Sequence, residues 1–155
     1  MKGTVSPSMD EGLEDSIFLV LCTALAMMMR VYLFPIESGD YLQFLHPWYE
    51  TLKENGGLLA IGMDVGDYMP PYFYLLALLT YLPIRDIFAI KALSSLADIV
   101  LAVFAANLVD FERKSRVKWT AAYCTVLFLP SVFLNSGVWG QCDAIYVSAL
   151  LAFLY

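Results

Sequence analysis

The chain has 155 residues, of which 60% are apolar and only 15% are charged, and its mean hydropathy is +0.67. Soluble domains carry about 25% charged residues, so this composition excludes a water-soluble core and indicates a membrane protein. The net charge of −6 comes without a basic stripe interleaved with aromatic residues, which excludes nucleic acid as a partner.

Apolar stretches long enough to cross a bilayer follow one another along the chain. The first, 16–34, is apolar except for Arg30. Residues 1–15 carry one lysine and four acids, unlike the basic start of a signal peptide, and are predicted to form a cytoplasmic tail. Further spans are predicted at 87–109, 119–134 and, incompletely, 144–155. The last would leave the chain end in mid-bilayer, so we expect the N-terminal piece of a longer protein, inactive by itself.

The apolar segment 71–82 decides the predicted topology. Its twelve residues would reach about 18 Å as a helix, whereas a hydrocarbon core is about 30 Å thick. We therefore predict a short helix in the membrane interface. The basic loop 111–118 then lies in the cytoplasm, as the positive-inside rule requires. The acidic loop 35–86 and the polar loop 135–143 share the non-cytoplasmic side.

Within loop 35–86, apolar residues recur at helical spacing and predict an amphipathic helix over 41–54. The members of this stripe are Tyr41, Phe44, Leu45, Trp48, Tyr49 and Leu52. Asp40 stands where a helix N-cap belongs, so its position alone leaves a capping role and a catalytic role open. Pro47 predicts a kink. His46 has no second histidine to form a metal pair, which favours a hydrogen-bonding role.

Three charged residues fall inside the predicted spans. Asp98 lies near the middle of 87–109, where an acid is either functional or paired with a neighbouring helix. We favour pairing that holds the bundle together. Arg30 and Lys91 lie within reach of the outer interface and are expected to snorkel towards it, with contact to a lipid phosphate as the alternative.

Five motifs occur in a fixed order along the chain: Gly39-Asp40-Tyr41, Trp48, Asp67-Tyr68-Met69-Pro70-Pro71, Ala97-Asp98-Ile99-Val100-Leu101 and Trp139-Gly140-Gln141-Cys142-Asp143. With the basic loop before the last of them, this series resembles the N-terminal half of GT-C membrane glycosyltransferases. It is most similar to the dolichyl-phosphate-glucose-dependent glucosyltransferases of N-glycan assembly and their bacterial relatives. The resemblance covers 16–155 and implies an all-α, multispan transmembrane bundle with interfacial helices in a long first outer loop.

The resemblance also implies an activity. It is the inverting transfer of a hexose from a polyprenyl-phosphate donor to a hydroxyl of a lipid-linked or glycan acceptor, on the non-cytoplasmic face of the endoplasmic reticulum or a bacterial plasma membrane. The general base of the family, the first acid of the first outer loop, falls on Asp40. The expected substrate-binding residues are Trp48, Asp67, Tyr68, Gln141 and Asp143. No metal or other cofactor is expected, because the second outer loop offers one acid instead of a pair.

Two other functions stay open at the level of sequence. The chain could belong to a non-catalytic multispan protein, such as an assembly factor, that retains a partial GT-C fold. It could also belong to a transporter with Asp98 in an ion path. A transporter should show acids and broken helices at the midplane together with inverted repeats, and of these features the sequence offers only the acid Asp98.

The topology makes a prediction about sidedness. In a variant without native cysteines, single cysteines at Glu54 and Ser136 should react with a membrane-impermeant maleimide added outside. A cysteine at Lys114 should react only after the membrane is permeabilised, because the basic loop is cytoplasmic. Labelling of Lys114→Cys from outside would overturn the topology.

Overall fold

The computed structural model describes residues 9–112 and 115–154, and this part of the chain is helical and contains no β-strand. The predicted all-α class is confirmed. In chain order the helices are α1 (Met9–Leu33), a π-helix (Tyr41–Leu45), α2 (His46–Glu54), a 3-10 turn (Gly57–Ala60), α3 (Pro70–Leu79), α4 (Asp86–Val109), α5 (Arg116–Phe128), α6 (Pro130–Leu134), a second π-helix (Asn135–Trp139) and α7 (Asp143–Leu154).

Two segments in the described ranges, Leu13–Leu33 and Asp86–Val109, are long and apolar enough to cross a membrane. A third span is added if the bent pair Arg116–Phe128 and Pro130–Trp139 counts as one. Because α1 begins at Met9, the second half of the predicted tail is helical, while residues 1–8 lie outside the described part. The short helix predicted at 71–82 is α3, and its ten residues reach only about 15 Å, too little to cross.

The prediction of one long helix over 119–134 is wrong. The helix breaks at Leu129, whose backbone is extended (φ −65°, ψ 122°). The direction of the helix axis bends by 45° at this break. Pro130 causes the break, because proline lacks an N–H group and disfavours the helical conformation of the residue before it. The following segment is also more ordered than the predicted loop, since 135–139 forms a π-helix.

The amphipathic helix predicted over 41–54 is confirmed, and its apolar stripe is the core of loop 35–86. Apart from Phe44, which is 44% exposed, the stripe is buried against the inner faces of α3 and the start of α4. The kink predicted at Pro47 takes the form of the π-helix Tyr41–Leu45 directly before it. An inserted residue of this kind accommodates the backbone hydrogen bond that proline cannot donate.

Arg30 and Asp98 form a buried ion pair with their side chains at 0% and 2% exposure and an Nε–Oδ2 distance of 2.9 Å. The predicted pairing of Asp98 is confirmed, and the predicted snorkelling of Arg30 is wrong. Its two terminal nitrogens donate to the carbonyls of Ala26 and Leu127, both at 2.9 Å. Ser136 Oγ donates to the same Asp98 oxygen at 2.6 Å. One network therefore joins α1, α4, the end of α5 and the second π-helix.

Lys91 is also fully buried, so its predicted snorkelling is wrong. Its ammonium group donates to the carbonyl of Phe34 at 3.0 Å and to that of Ile36. The carbonyl groups at the end of a helix have no partner within the helix. Carbonyls at and just after the end of α1 can therefore accept hydrogen bonds from a buried cation. This contact fixes the beginning of loop 35–86, two residues before Ser38.

The burial of Ser136 changes the labelling experiment. Ser136 is 1% exposed, whereas Trp139 in the same π-helix is 42% exposed. Trp139→Cys is therefore the accessible reporter for segment 135–143.

The buried pair predicts a non-additive stability cycle. Arg30→Met or Asp98→Leu alone should destabilise the chain by about 3–5 kcal/mol, because each leaves a buried charge without its partner. The double variant should cost clearly less than the sum of the two. Thermal unfolding in detergent measures all three. Arg85→Met, which removes an exposed contact with Glu37 at 3.6 Å, is the control and should cost less than about 1 kcal/mol. Additive effects of Arg30→Met and Asp98→Leu would contradict the account.

Candidate functional site

The two polar segments of the chain meet at Asp40. Gln141 Nε2 donates a hydrogen bond of 2.9 Å to Asp40 Oδ2, across 101 residues of sequence. The Asp40 carboxylate forms no capping hydrogen bond with the helix backbone. Ser38 has that role instead, because its Oγ accepts from the backbone N–H of Tyr41 at 3.2 Å. The capping alternative for Asp40 is therefore wrong, and its carboxylate faces Gln141.

Tyr68 holds the other end of the Gln141 amide. Its hydroxyl donates to Gln141 Oε1 at 2.6 Å. Burial raises the pKa of Tyr68, and the nearby carboxylates of Asp143 and Asp40 raise it further. The hydroxyl stays protonated at neutral pH and remains a donor. The amide thus accepts from Tyr68 and donates to Asp40, so its orientation is fixed.

A glycine turn places Gln141 at this point. Gly140 ends the second π-helix in the left-handed conformation, at φ +69°, which glycine adopts without strain. Its carbonyl accepts from Ser94 Oγ at 3.1 Å, and the Gln141 N–H donates to the carbonyl of Asn135 at 3.1 Å. A Cβ at position 140 would lie 3.3 Å from Lys91 Cγ, so the turn is packed tightly on α4.

The indole ring of Trp48 packs against the ring of Tyr68. The two ring centroids are 4.9 Å apart, and a second neighbour, Phe73, lies at 5.6 Å. A Cβ at Gly66 would come within 2.3 Å of the indole, so the backbone crosses directly over this ring. Trp48 is 9% exposed and supports the position of Tyr68. Its direct contact with a substrate stays a prediction.

A cavity of about 550 Å³ opens on the other side of Tyr68. Asp67 and Asp143 contribute carboxylates to its wall, while Pro71 and Tyr146 contribute apolar surface. Asp143 is oriented by Asn135 Nδ2, which donates to its Oδ2 at 3.0 Å. The structure thus joins Asp40, Tyr68 and Gln141 by hydrogen bonds and places Asp67 and Asp143 on the adjoining cavity.

Tyr72 is a cavity residue that the sequence analysis missed. It is 6% exposed, and its hydroxyl has no hydrogen-bond partner among the described residues. Its ring lies 5.4 Å from that of Tyr68. The only signal of this in the sequence is the spacing of four residues between the two tyrosines. A buried hydroxyl without a partner costs about 1–3 kcal/mol, which a ligand that brings a donor or acceptor would recover.

Cys142 borders the same cavity as a neutral thiol. Burial raises its pKa to about 11, and the charge of Asp143 acts in the same direction. Because the thiolate is the reactive form, Cys142 is not a nucleophile at neutral pH.

Comparison of the chain with family models, curated proteins and solved structures finds no match.

The Gln141 bridge predicts graded losses of stability. Tyr68→Phe removes one hydrogen bond and should cost about 0.5–1.5 kcal/mol, whereas Gln141→Leu removes two and should cost more. Thermal unfolding in detergent measures both. Tyr74→Phe on the exposed side of α3 is the matched control and should be neutral. Equal effects of Tyr68→Phe and Tyr74→Phe would show that the Tyr68 hydroxyl does not hold Gln141.

Proposed function

We propose that this chain forms part of a membrane glycosyltransferase that moves a hexose from a polyprenyl-phosphate donor to a hydroxyl acceptor, with inversion. The observation that carries the proposal is the hydrogen bond from Gln141 to Asp40. Gln141 also accepts from Tyr68, which lines a cavity whose wall carries two further acids and the hydroxyl of Tyr72, a group with no hydrogen-bond partner among the described residues.

Asp40 acts as the general base in this proposal. Gln141 engages Oδ2, and the other carboxylate oxygen takes the proton of the acceptor hydroxyl as its oxygen attacks C1 of the sugar. The bond from C1 to the phosphate oxygen breaks, and the electron pair leaves with the lipid phosphate. Attack from the face opposite the leaving group inverts C1. A positioned base of this kind contributes about 10²- to 10⁴-fold in rate.

The cavity is suited to a ligand rich in hydroxyl groups. Its volume of about 550 Å³ falls within the range of about 300–1,000 Å³ that small-molecule sites occupy. Asp67 and Asp143 can accept hydrogen bonds from sugar or acceptor hydroxyls, and Tyr72 offers both a donor and an acceptor. The surrounding aromatic rings supply the apolar surface against which a sugar ring packs.

The proposed enzyme sits with this site at the non-cytoplasmic surface of the membrane. In this arrangement α2 and α3 lie in the headgroup layer while Leu13–Leu33 and Asp86–Val109 cross the bilayer. Apolar side chains stand exposed on the turns beside α2 and α3, with Leu59 at 87%, Met69 at 79% and Tyr81 at 60%. Exposed residues of this kind favour contact with lipid.

The transporter alternative requires Asp98 to be available to an ion, and its carboxylate is already engaged within the protein. Asp98 is occupied by Arg30 and Ser136 at 2.9 and 2.6 Å, and the pair has a structural role. A non-catalytic protein that retains the fold is the second candidate, and the experiment below separates it from the enzyme.

Asp40→Asn tests the proposed base. Asparagine keeps the size of the side chain and can still accept from Gln141, but it cannot take a proton. We expect transfer to fall by about 10²- to 10⁴-fold, measured with the complete protein in detergent, a polyprenyl-phosphate hexose and a labelled lipid-linked acceptor. Asp64→Asn is the matched control, because Asp64 is an exposed acid of the same loop.

Each outcome of this assay decides something. A folded Asp40→Asn protein with wild-type transfer would move the base to Asp67 or Asp143. A wild-type protein that transfers no hexose from any polyprenyl-phosphate donor would favour the non-catalytic alternative.

A further inference from the structure

A second cluster of side chains, separate from the cavity, lies where α2 meets the beginning of α4. His46 and Glu50 are four residues apart on α2, so they project from one face of that helix. Asp86, the first residue of α4, reaches the same point. One ligand atom from each of the three lies within 4.8 Å of the others. Two elements thus bring together one imidazole and two carboxylates.

The spacing of these atoms is close to that of a metal site. His46 Nδ1 and Asp86 Oδ2 are 2.6 Å apart. Ligands bound to a tetrahedral zinc ion, with bonds of about 2.0–2.2 Å, lie about 3.3–3.5 Å from one another. Changes of up to about 1.5 Å in the separations of these atoms would convert the present cluster into that geometry.

The cluster is partly desolvated but open to an ion from solution. The side chains of His46 and Asp86 are 44% and 14% exposed. Glu50 is 38% exposed, and its neighbour Lys53 stays 3.6 Å away, with 54% of the Lys53 side chain exposed. An exposed pair at that distance is screened by water and contributes little, so Lys53 does not neutralise the cluster.

Other charges near the cluster leave it acidic. Arg85, next to Asp86, points to Glu37, with 3.6 Å between the charged atoms. The two carboxylates of Glu50 and Asp86 therefore share the cluster with one imidazole. A divalent cation would balance their charge.

The buried hydroxyl of Tyr41 fixes the carboxylate of the cluster. It donates to Asp86 Oδ2 at 2.6 Å and lies 3.4 Å from His46 Nδ1. Hydrogen bonds of this kind hold a metal-binding carboxylate in the orientation that the ion requires. The cluster thus has both its ligand atoms and an outer partner that orients one of them.

We infer that His46, Glu50 and Asp86 bind one divalent transition-metal ion, with Tyr41 as the outer partner of Asp86. One nitrogen and two oxygen donors are a ligand set that Zn²⁺ accepts. The ion joins α2 to α4, and its outer partner Tyr41 directly follows Asp40 in the chain. It therefore stabilises the segment next to Asp40 and touches no substrate. The site does not depend on the proposed glycosyltransferase activity.

Zinc binding by the purified chain tests this inference. The chain, carrying an affinity tag without histidine, is stripped with a chelator in detergent and titrated with Zn²⁺ by calorimetry. We expect one ion per chain and a rise in the thermal midpoint with zinc concentration, because a ligand that binds only the folded state stabilises it. Co²⁺ should give visible d–d absorption without a thiolate charge-transfer band, which excludes binding by the cysteines.

Variants locate the ion. Glu50→Gln and His46→Gln should each weaken zinc binding by at least about 10-fold, since they remove a ligand. Glu50→Gln leaves the bond between His46 and Asp86 in place, so it separates metal binding from folding. Glu54→Gln, one turn further along α2 and exposed, is the matched control and should bind as wild type.

Two results would overturn the inference. One is a wild-type chain that binds no Zn²⁺ at submillimolar concentration, which would leave the cluster as a hydrogen-bond network alone. The other is unchanged zinc affinity in both Glu50→Gln and His46→Gln. Neither result bears on Asp40, so failure here and failure of the proposed function are distinguishable.

Discussion

The buried pair of Arg30 and Asp98 is the interaction on which the rest of the structure depends. Removing two charges from water costs several kcal/mol per ion, so each must find the other and every remaining guanidinium N–H must find an acceptor. Arg30 meets that demand partly with the carbonyl of Leu127. That carbonyl lies close to the break at Pro130, where the helix cannot supply the usual partner. The proline break and the buried cation therefore stabilise each other.

The same pair leads to the candidate site through short contacts. Ser136 binds Asp98, and its π-helix begins at Asn135, whose carbonyl accepts from the backbone of Gln141. Gln141 then holds Asp40. Loss of the ion pair would thus loosen the amide that orients the carboxylate. Charges buried in the helix bundle position a group at its surface, although they do not touch the cavity.

Both ends of the bond between Gln141 and Asp40 lie beside π-helices. Tyr41–Leu45 begins one residue after Asp40, and Asn135–Trp139 ends two residues before Gln141. A π-turn inserts one residue into a helix and so redirects the side chains next to it, which is why such turns are frequent at functional sites. Pro47 accounts for the first of them. The left-handed glycine at 140 completes the redirection at the second.

The sequence by itself determined the helical class, two membrane-length segments, the short α3 and the amphipathic stripe over 41–54, because hydrophobic period and helix length are local properties. It also determined the pairing of Asp98, because the cost of an unpaired buried charge is general. Pro130 was also readable as a break and was missed. Only the tertiary structure decided that Arg30 and Lys91 turn inward, that Ser38 rather than Asp40 accepts the backbone N–H of Tyr41, and that Tyr72 lines a cavity. It also decided that His46 meets Glu50 and Asp86. Each of these depends on a partner distant in the chain, and a sequence pattern does not state which acceptor a long side chain will find.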